Sequence, residues 1–296
     1  ICLGITTAFF AIQLGADPII VGGTEEQKQK WLGKIAAGEA LVAYAVTEPD
    51  AGSNVASIKT KAEPVTDESG NISGYKINGT KQFISTGGYA EFITLLANTP
   101  EGATFFIVEK DTKGYDRGKG EEKHGIRASN TSPLTFSDVF VPVENVIGGV
   151  TGQGLKQASK VFGYTRLMVA SMALGGGEAA LDIVVPYAKE RIQFKTPLSE
   201  KQGYTHKLVV PHAVRLAAAA TYIDEVATRL DAGEQGLEVE GSIAKLFATE
   251  SANKAADDAM QALGGYGYIN EYGVEKIKRD VKITCIYEGT SEIQQN

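Results

Sequence analysis

The chain changes its hydrophobic period twice. Residues 1–14 form an almost unbroken apolar segment that reads as a buried helix. Thr24-Glu25-Glu26-Gln27 follows. A Thr at the N-cap with Gln three residues on is a capping box, in which side chains and backbone donors satisfy each other at the helix start. The helix it opens runs through Trp31 and Leu32 and stops at Gly38. From residue 41 the period shortens toward two. Tyr75-Lys76-Ile77 and Lys81-Gln82-Phe83-Ile84 flank Asn78-Gly79-Thr80, and Asn-Gly predicts a hairpin whose type I′ turn needs positive φ at both central residues. Strand-like runs continue at 92–97, 104–108, 134–136 and 139–141, with turn residues between them.

The helical period returns in the last part of the chain. Residues 153–174 make one helix closed by Gly175-Gly176-Gly177, and 177–193 a second that Pro186 kinks or breaks. Residues 206–232 make a third, with Ala217 to Ala220 reading as close helix packing. The strongest pattern is 238–263, with Ile243, Leu246, Phe247 and Met260 placed for one buried face and Gly264-Gly265 as its stop. The organisation is therefore α+β: N-terminal helices over 1–40, an antiparallel β domain over 41–147 and a helical domain over 148–296. A junction between such domains suits a ligand cleft.

Composition narrows the function. With 296 residues, 43% hydrophobic and 22% charged, the chain is an ordinary globular one of about two domains by length. No run approaches the roughly 18 uninterrupted apolar residues of a membrane span, so none is expected. A net charge of −7 disfavours nucleic acid, whose affinity rests on phosphate neutralisation. A small anionic ligand remains compatible, held by backbone N–H groups and a few Arg or Lys. Cys2 and Cys285 are the two cysteines, which points to a reducing compartment, and Cys285 reads as a small core residue. His124, His206 and His212 show no metal-ligand spacing, so no metal is expected; His124 reads as a solvated loop residue. The 34 glycines exceed the average of roughly 7%. Gly152-Gln153-Gly154 nevertheless lacks the third glycine and the βαβ frame of a Rossmann site. Walker A and Gly-x-Ser-x-Gly patterns are absent from the sequence.

The most specific segment is Tyr44-Ala45-Val46-Thr47-Glu48-Pro49-Asp50-Ala51-Gly52-Ser53-Asn54. A strand ends there in small and hydroxyl residues. Its chemistry has two readings. Exposed backbone N–H groups beside Thr and Ser hydroxyls form a donor array for a planar heterocycle bearing carbonyls or for the polar tail of a thioester; alternatively, Asp-Ala-Gly-Ser is a plain turn.

This segment closely resembles the Ala-Val-Thr-Glu-Pro-x-Ala-Gly-Ser signature of the acyl-CoA dehydrogenase family. Four further segments resemble that family in the same order: Lys81-Gln82-Phe83-Ile84-Ser85; Glu190-Arg191-Ile192-Gln193-Phe194 with Gln202; Gln261-Ala262-Leu263-Gly264-Gly265-Tyr266-Gly267; and Tyr287-Glu288-Gly289-Thr290-Ser291-Glu292-Ile293-Gln294. The resemblance spans nearly the whole chain. It implies the family fold of an N-terminal helical domain (partial here), a middle β domain and a C-terminal four-helix bundle. It implies FAD as cofactor, an acyl-CoA substrate, electron-transfer flavoprotein as electron acceptor, and a homotetramer built as a dimer of dimers with FAD contacts across subunits.

The resemblance also assigns residues. Val46 and Thr47 match positions holding the pyrimidine edge of FAD, with Tyr44, Phe83 and Ile84 in the same flavin segments. Donors there stabilise negative charge on the reduced flavin. Ser85 matches the hydroxyl that approaches the flavin nitrogen receiving the substrate's hydrogen. Arg191 and Gln202, with Phe194, match the set that reaches the FAD pyrophosphate and adenosine from a neighbouring subunit. Gln261, Gly264 and Gly265 match a loop that closes on the adenosine half. Thr290 and Glu292 match further FAD contacts. Glu288 matches the catalytic base, which removes a proton from the carbon beside the thioester carbonyl while hydride leaves the next carbon. Burial against an apolar substrate raises a carboxyl toward a useful pKa. Taken alone, Glu288 is a loop carboxylate beside a glycine. Ser53, Ser129, Phe162, Thr165, Arg166 and Gly289 match positions near the thioester or its pantetheine–nucleotide tail; Arg166 taken alone is a helix-surface cation.

Two departures stand out. Family members usually carry Trp where this chain has Phe83, and Ser-Thr-Gly at 85–87 replaces the common Thr-Asn-Gly or Thr-Asn-Ala. An oxidase or monooxygenase on the same fold, or a non-enzymatic scaffold, are the competing readings; the retained Glu288 argues against a monooxygenase or a scaffold. The Thr-Glu-Pro segment comes early and the chain stops just after Glu288, so Ile1 is expected to be internal to a longer enzyme. The resemblance implies a bacterial cytoplasmic protein, or a mitochondrial matrix protein if eukaryotic.

Overall fold

A computed structural model describes residues 2–295; the expectations attached to Ile1 and Asn296 lie outside the described residues. Two compact units are present. One holds Ile5–Lys123 and Arg127–Val161; the other holds His124–Ile126, the chain from Phe162 onward and the first few residues.

The first unit opens with α1 (Leu3–Gly22). It runs well past residue 14, through Pro18, and it is not wholly buried. Ala11, Ala16, Asp17 and Ile19 face inward, whereas Ile5 and Phe9 are exposed. The inward face is small because α1 lies tight against the sheet. A Cβ on Gly15 would come within 2.9 Å of the Val42 carbonyl carbon. The capping box forms as expected, with both Thr24 and Gln27 satisfying the other's backbone N–H. It starts α2 (Glu25–Gln27), which continues through a π-helical turn at Lys28–Leu32 into α3 (Gly33–Ala36). Gly38 ends the run in the left-handed region that glycine tolerates. Trp31 is buried against Phe92, ring centroids 4.8 Å apart.

The sheet comprises β1 (Val42–Ala45), β2 (Lys61–Thr66), β3 (Ile72–Ser85), β4 (Phe92–Thr99), β5 (Gly102–Glu109), β6 (Tyr115–Arg117) and β7 (Thr131–Pro142). The order is β1-β4-β2-β3-β7-β6, with β5 on the other flank of β4. The sheet is mixed rather than antiparallel, because β1 runs parallel to β4 in the register Val42 to Phe92. The expected hairpin at Asn78-Gly79 does not form. β3 passes straight through it, pairing with β2 on one side and β7 on the other, with a register shift beside Gly79. Glycine is required there by close approach: a Cβ would lie 2.5 Å from Thr60 Oγ1. Residues 134–136 and 139–141 likewise belong to the single strand β7. Alternate side chains of the strands, including Ile77, Ile93, Leu95, Phe106 and Val139, build one core.

The helical unit centres on α4 (Gly154–Glu190), α5 (Gln202–Leu208), α6 (Val210–Asp231) and α7 (Glu238–Leu263). Several expectations change here. The Gly175-Gly176-Gly177 triplet does not end a helix, and neither does Pro186; α4 is continuous through both. Gly176 and Gly177 serve packing, since a Cβ would sit 2.6 Å from Val281 on the first and 2.8 Å from Leu216 and 3.1 Å from the Ala252 Cα on the second, whereas Gly175 faces open space. The predicted 206–232 helix is two helices, broken at Val209 with Pro211 in the first turn of α6. On α7 the buried face is the small one. Ala244, Ala248, Ala252, Ala255, Ala256 and Ala259 are inside, whereas Ile243 and Phe247 are exposed and Leu246 and Met260 only half-buried. Of the four alanines 217–220, Ala219 is buried and Ala217 and Ala218 are exposed. Gly264 closes α7 with positive φ, as expected.

The membrane expectation also needs amending. Leu3–Gly22 and Gly154–Glu190 are long and apolar enough to cross a membrane by length and composition alone, although neither is an uninterrupted apolar run. α1 carries a fully buried Asp17 hydrogen-bonded by Gln13 at 2.7 Å, and packs half its surface within the fold.

Candidate functional site

In the β unit, the two segments expected to meet flavin lie side by side. Thr47 follows the end of β1, and its carbonyl accepts from the Gln82 N–H on β3 at 2.8 Å. Beneath that contact sits a pair absent from the sequence reading. Lys81 is fully buried, and its ammonium donates to the Val46 carbonyl at 3.0 Å and to Glu48 Oε1 at 2.7 Å. Glu48 accepts two backbone N–H groups, from Lys59 at 2.6 Å and Thr60 at 3.0 Å. Burial pushes the Glu48 carboxyl up, but hydrogen bonds from Lys81, Thr60 and Lys59 and the Lys81 charge outweigh it and hold it below the usual range. Burial brings Lys81 down to about 8 against the opposing pull of Glu48. A buried charge needs such partners. One signal was readable: the alternation Tyr75, Ile77, Gly79, Lys81 points the lysine inward.

This clasp aims the neighbouring residues. Val46 and Ile84 are buried, so each offers backbone rather than side chain to a ligand. Thr47 and Ser85 are half-buried, as is Tyr44, whose ring lies 5.7 Å from that of Phe105. Phe83 is held in the left-handed region at φ 60° and is 64% exposed. Such strain in a bulky residue clusters at ligand sites. Ser53 is exposed on its loop. Ser129 is fully buried instead, its carbonyl accepting from Lys123, so its side chain presents no open surface.

The helical unit holds the rest. Glu288 lies between a 3-10 turn, Lys282–Cys285, and α10 (Ser291–Gln294); the intervening α8 (Gly265–Tyr268) and α9 (Val274–Val281) complete the chain order. Thr165, fully buried on α4, donates its hydroxyl to Glu288 Oε2 at 3.0 Å. Arg166 is half-buried beside it and donates to Ser242 on α7 at 2.8 Å, so it is not a freely solvated surface cation. Burial lowers its pKa, opposed by the Glu288 and Glu238 charges. Phe162 is half-buried one turn earlier on the same helix. Glu288 and Gly289 both have positive φ, 56° and 91°. Two donors grip their carbonyls. Gln294 Nε2 lies 3.0 Å from the Glu288 oxygen and 3.2 Å from that of Gly289, and Lys245 Nζ donates to Gly289. The sequence reading gave neither Lys245 nor Gln294 a role. A lysine within the alanine stripe of α7 was the available signal. Thr290 caps α10 by accepting the Ile293 N–H, with Glu292 exposed in its first turn. Burial is the main cause pushing the Cys285 thiol pKa up.

A second set in this unit is open to solvent. Arg191, Phe194, Gln202, Gln261, Gly264 and Gly265 are all exposed. The structure brings the Arg191 stretch to the Gly264-Gly265 loop: the guanidinium lies 5.7 Å from the ring centroid of Tyr266. Nothing lies within 4 Å of a Cβ built on either glycine. The described residues contain no cluster of His, Cys, Asp and Glu able to hold a metal ion.

Three family models match the chain in succession: the acyl-CoA dehydrogenase N-terminal domain over 1–39, middle domain over 43–139 and C-terminal domain over 152–296. The chain belongs to the acyl-CoA dehydrogenase family. It is therefore a flavoprotein oxidoreductase with that family's fold. An acyl-CoA dehydrogenase of Bacillus subtilis is 42% identical over 289 residues, covering 95% of this chain and 73% of that one. The butyryl-CoA dehydrogenase structure from Megasphaera elsdenii superposes with a TM-score of 0.92 at 38% identity, covering 99% of this chain and 76% of that one. A structure described as the electron transferring flavoprotein of Acidaminococcus fermentans contains a chain matching with TM-score 0.92 at 36% identity, over 99% of this chain and 76% of that one.

Proposed function

We propose that this acyl-CoA dehydrogenase uses FAD to convert a short straight-chain acyl-CoA to its trans-2-enoyl-CoA and passes the electrons to electron-transfer flavoprotein. The observation that carries the reading is the carboxylate of Glu288, held at one oxygen by the buried Thr165 hydroxyl on a strained left-handed turn. The residues suit FAD. Thr47 and Ser85 offer hydroxyls and Val46 a backbone edge, the donor types a ring with carbonyls requires. The exposed Arg191 fork and the open Gly264-Gly265 backbone suit the pyrophosphate and adenosine half, with Gln202, Phe194 and Gln261 beside them in the motif order. When bound, FAD supplies the two-electron acceptor for the substrate's β-hydrogen.

The chain's own residues do the rest. Glu288 takes the α-proton, and Thr165, donating to Oε2, fixes the orientation of its carboxylate. Arg166 and Phe162, on the same face of α4, line the approach of the acyl-CoA tail, and Gly289 leaves space beside the base. The likeness to a butyryl-CoA dehydrogenase supports a short acyl chain, and the likeness to a chain in an electron-transferring flavoprotein structure supports that partner. Exposed Val214 and Ile243 on α6 and α7, and Phe194 at 91% exposure, support assembly into a homotetramer.

Anaerobic mixing of the FAD-loaded enzyme with butyryl-CoA tests the reading. Bleaching of the flavin absorbance is expected, and Glu288→Gln retains FAD but loses the bleaching. A panel of acyl-CoAs that leaves the wild-type spectrum unchanged would sink the proposal.

A further inference from the structure

We propose that Lys245 is a positioning residue for the base: from inside α7, its ammonium holds the Gly289 carbonyl and so fixes the peptide that carries Glu288. The inference rests on Glu288 being the base. Lys245 is 0% exposed in a stripe of alanines. Burying an ammonium is costly unless partners compensate. Core packing alone would be served better by Leu or Met. The hydrogen bond it makes is to a carbonyl, not a carboxylate, and that carbonyl belongs to the residue after Glu288.

Backbone geometry explains why a grip is needed. A non-glycine residue in the left-handed region is disfavoured, because its Cβ crowds the following carbonyl oxygen. Glu288 is held there, followed by Gly289, whose Cβ position is already taken by Gln294 Nε2. Lys245 and Gln294 thus clamp two successive carbonyls from two different helices. An ammonium is the stronger of these donors.

The charge has a second effect. The titratable groups around Lys245 are Cys285, Glu288, Arg166, Glu250 and Glu292. Cys285 is buried as a thiol, and Glu250 accepts from Ser291. Arg166 repels the ammonium, while Glu288 and Glu250 attract it. Burial brings Lys245 down to about 8, so it is protonated at neutral pH. A protonated Lys245 favours the ionised, proton-accepting form of Glu288. One side chain therefore sets both the orientation and the proton affinity of the base.

The test compares wild type, Lys245→Met and Lys245→Gln as FAD-loaded full chains. Rapid anaerobic mixing with butyryl-CoA is followed from pH 5 to 9. Hydrogen exchange at the amides of 288–290 is measured separately. Lys245→Met is expected to slow bleaching at pH 7 tenfold or more and to move the acidic limb upward by about one pH unit. Exchange at 288–290 rises, with α7 unchanged. Lys245→Gln restores a donor without charge: the plateau rate recovers and the limb stays displaced. A Met variant with the wild-type limb and wild-type exchange overturns the inference. Should Met prevent folding, an undisplaced limb in Gln does the same. If wild type fails to bleach with any acyl-CoA, the dehydrogenase reading falls, and the exchange data still decide the clamp: unchanged protection at 288–290 refutes it.

Discussion

Replacing Lys81 by Met isolates the clasp beneath the two segments proposed to hold flavin. Lys81 and Glu48 are both inside the β unit, the first fully so. The substitution keeps an unbranched side chain, one heavy atom shorter, and removes its charge. The Val46 carbonyl then loses its donor at 3.0 Å, and an unsatisfied buried carbonyl costs about 1–3 kcal/mol. Glu48 keeps the Lys59 and Thr60 amides but loses its counter-charge at 2.7 Å. Breaking one side of a buried pair costs about 3–5 kcal/mol in all, which includes the orphaned carbonyl. Domains are stable by about 5–15 kcal/mol, so the loss is a large share. Urea unfolding at pH 7 reads it as a lower midpoint at unchanged slope. Lys81→Met with Glu48→Gln removes both charges, keeps an amide oxygen as acceptor for the Lys59 and Thr60 N–H groups, and recovers part of the loss, because the unpaired carboxylate is gone while the Val46 carbonyl stays orphaned. A single variant within 1 kcal/mol of wild type, or a double variant no better than the single, would refute the reasoning.

Three further outcomes follow from the geometry. Gly79→Ala puts a methyl 2.5 Å from Thr60 Oγ1 and 2.8 Å from its Cα, and should cost about 1–3 kcal/mol in the same unfolding assay; a neutral result would mean the strand is not packed there. Thr24→Ala removes the side-chain acceptor of the Gln27 N–H and should cost about 1 kcal/mol, visible as a lower Tm, whereas Thr24→Ser keeps it. Lys81 and Lys245 titrate near 8 in the folded chain and at about 10.4 when unfolded, so between those values the unfolded state holds more protons. Each lysine thus adds a rise in unfolding free energy with pH, up to about 1.4 kcal/mol per pH unit, and its Met variant lacks that rise; equal slopes in variant and wild type contradict the burial.

The site was partly legible from the chain. Glu288 and its neighbours were marked by motif order, and the structure puts Thr165 on the Glu288 carboxylate, a contact between residues 123 positions apart that no local pattern encodes. Arg191 and the Gly264-Gly265 loop also meet only through the fold. Ser129 shows the limit of matching positions: its place in the motif says nothing of its complete burial.

Local chemistry determined what local chemistry could. The capping box, the left-handed stop at Gly264, the extent of α7 and most strand segments depend on neighbours within a few residues, and the sequence carries those. Where a glycine had two uses, the tertiary structure decided. Gly79 offers either a turn or a place for Thr60 to approach, and Gly176 and Gly177 offer either a stop or a groove for neighbouring helices. The same composition serves both, and only the partner across space selects one. For the same reason the large apolar residues of α7 did not mark its core. Burial follows which face the neighbouring helices can approach, and on α7 that face is the alanine stripe holding Lys245.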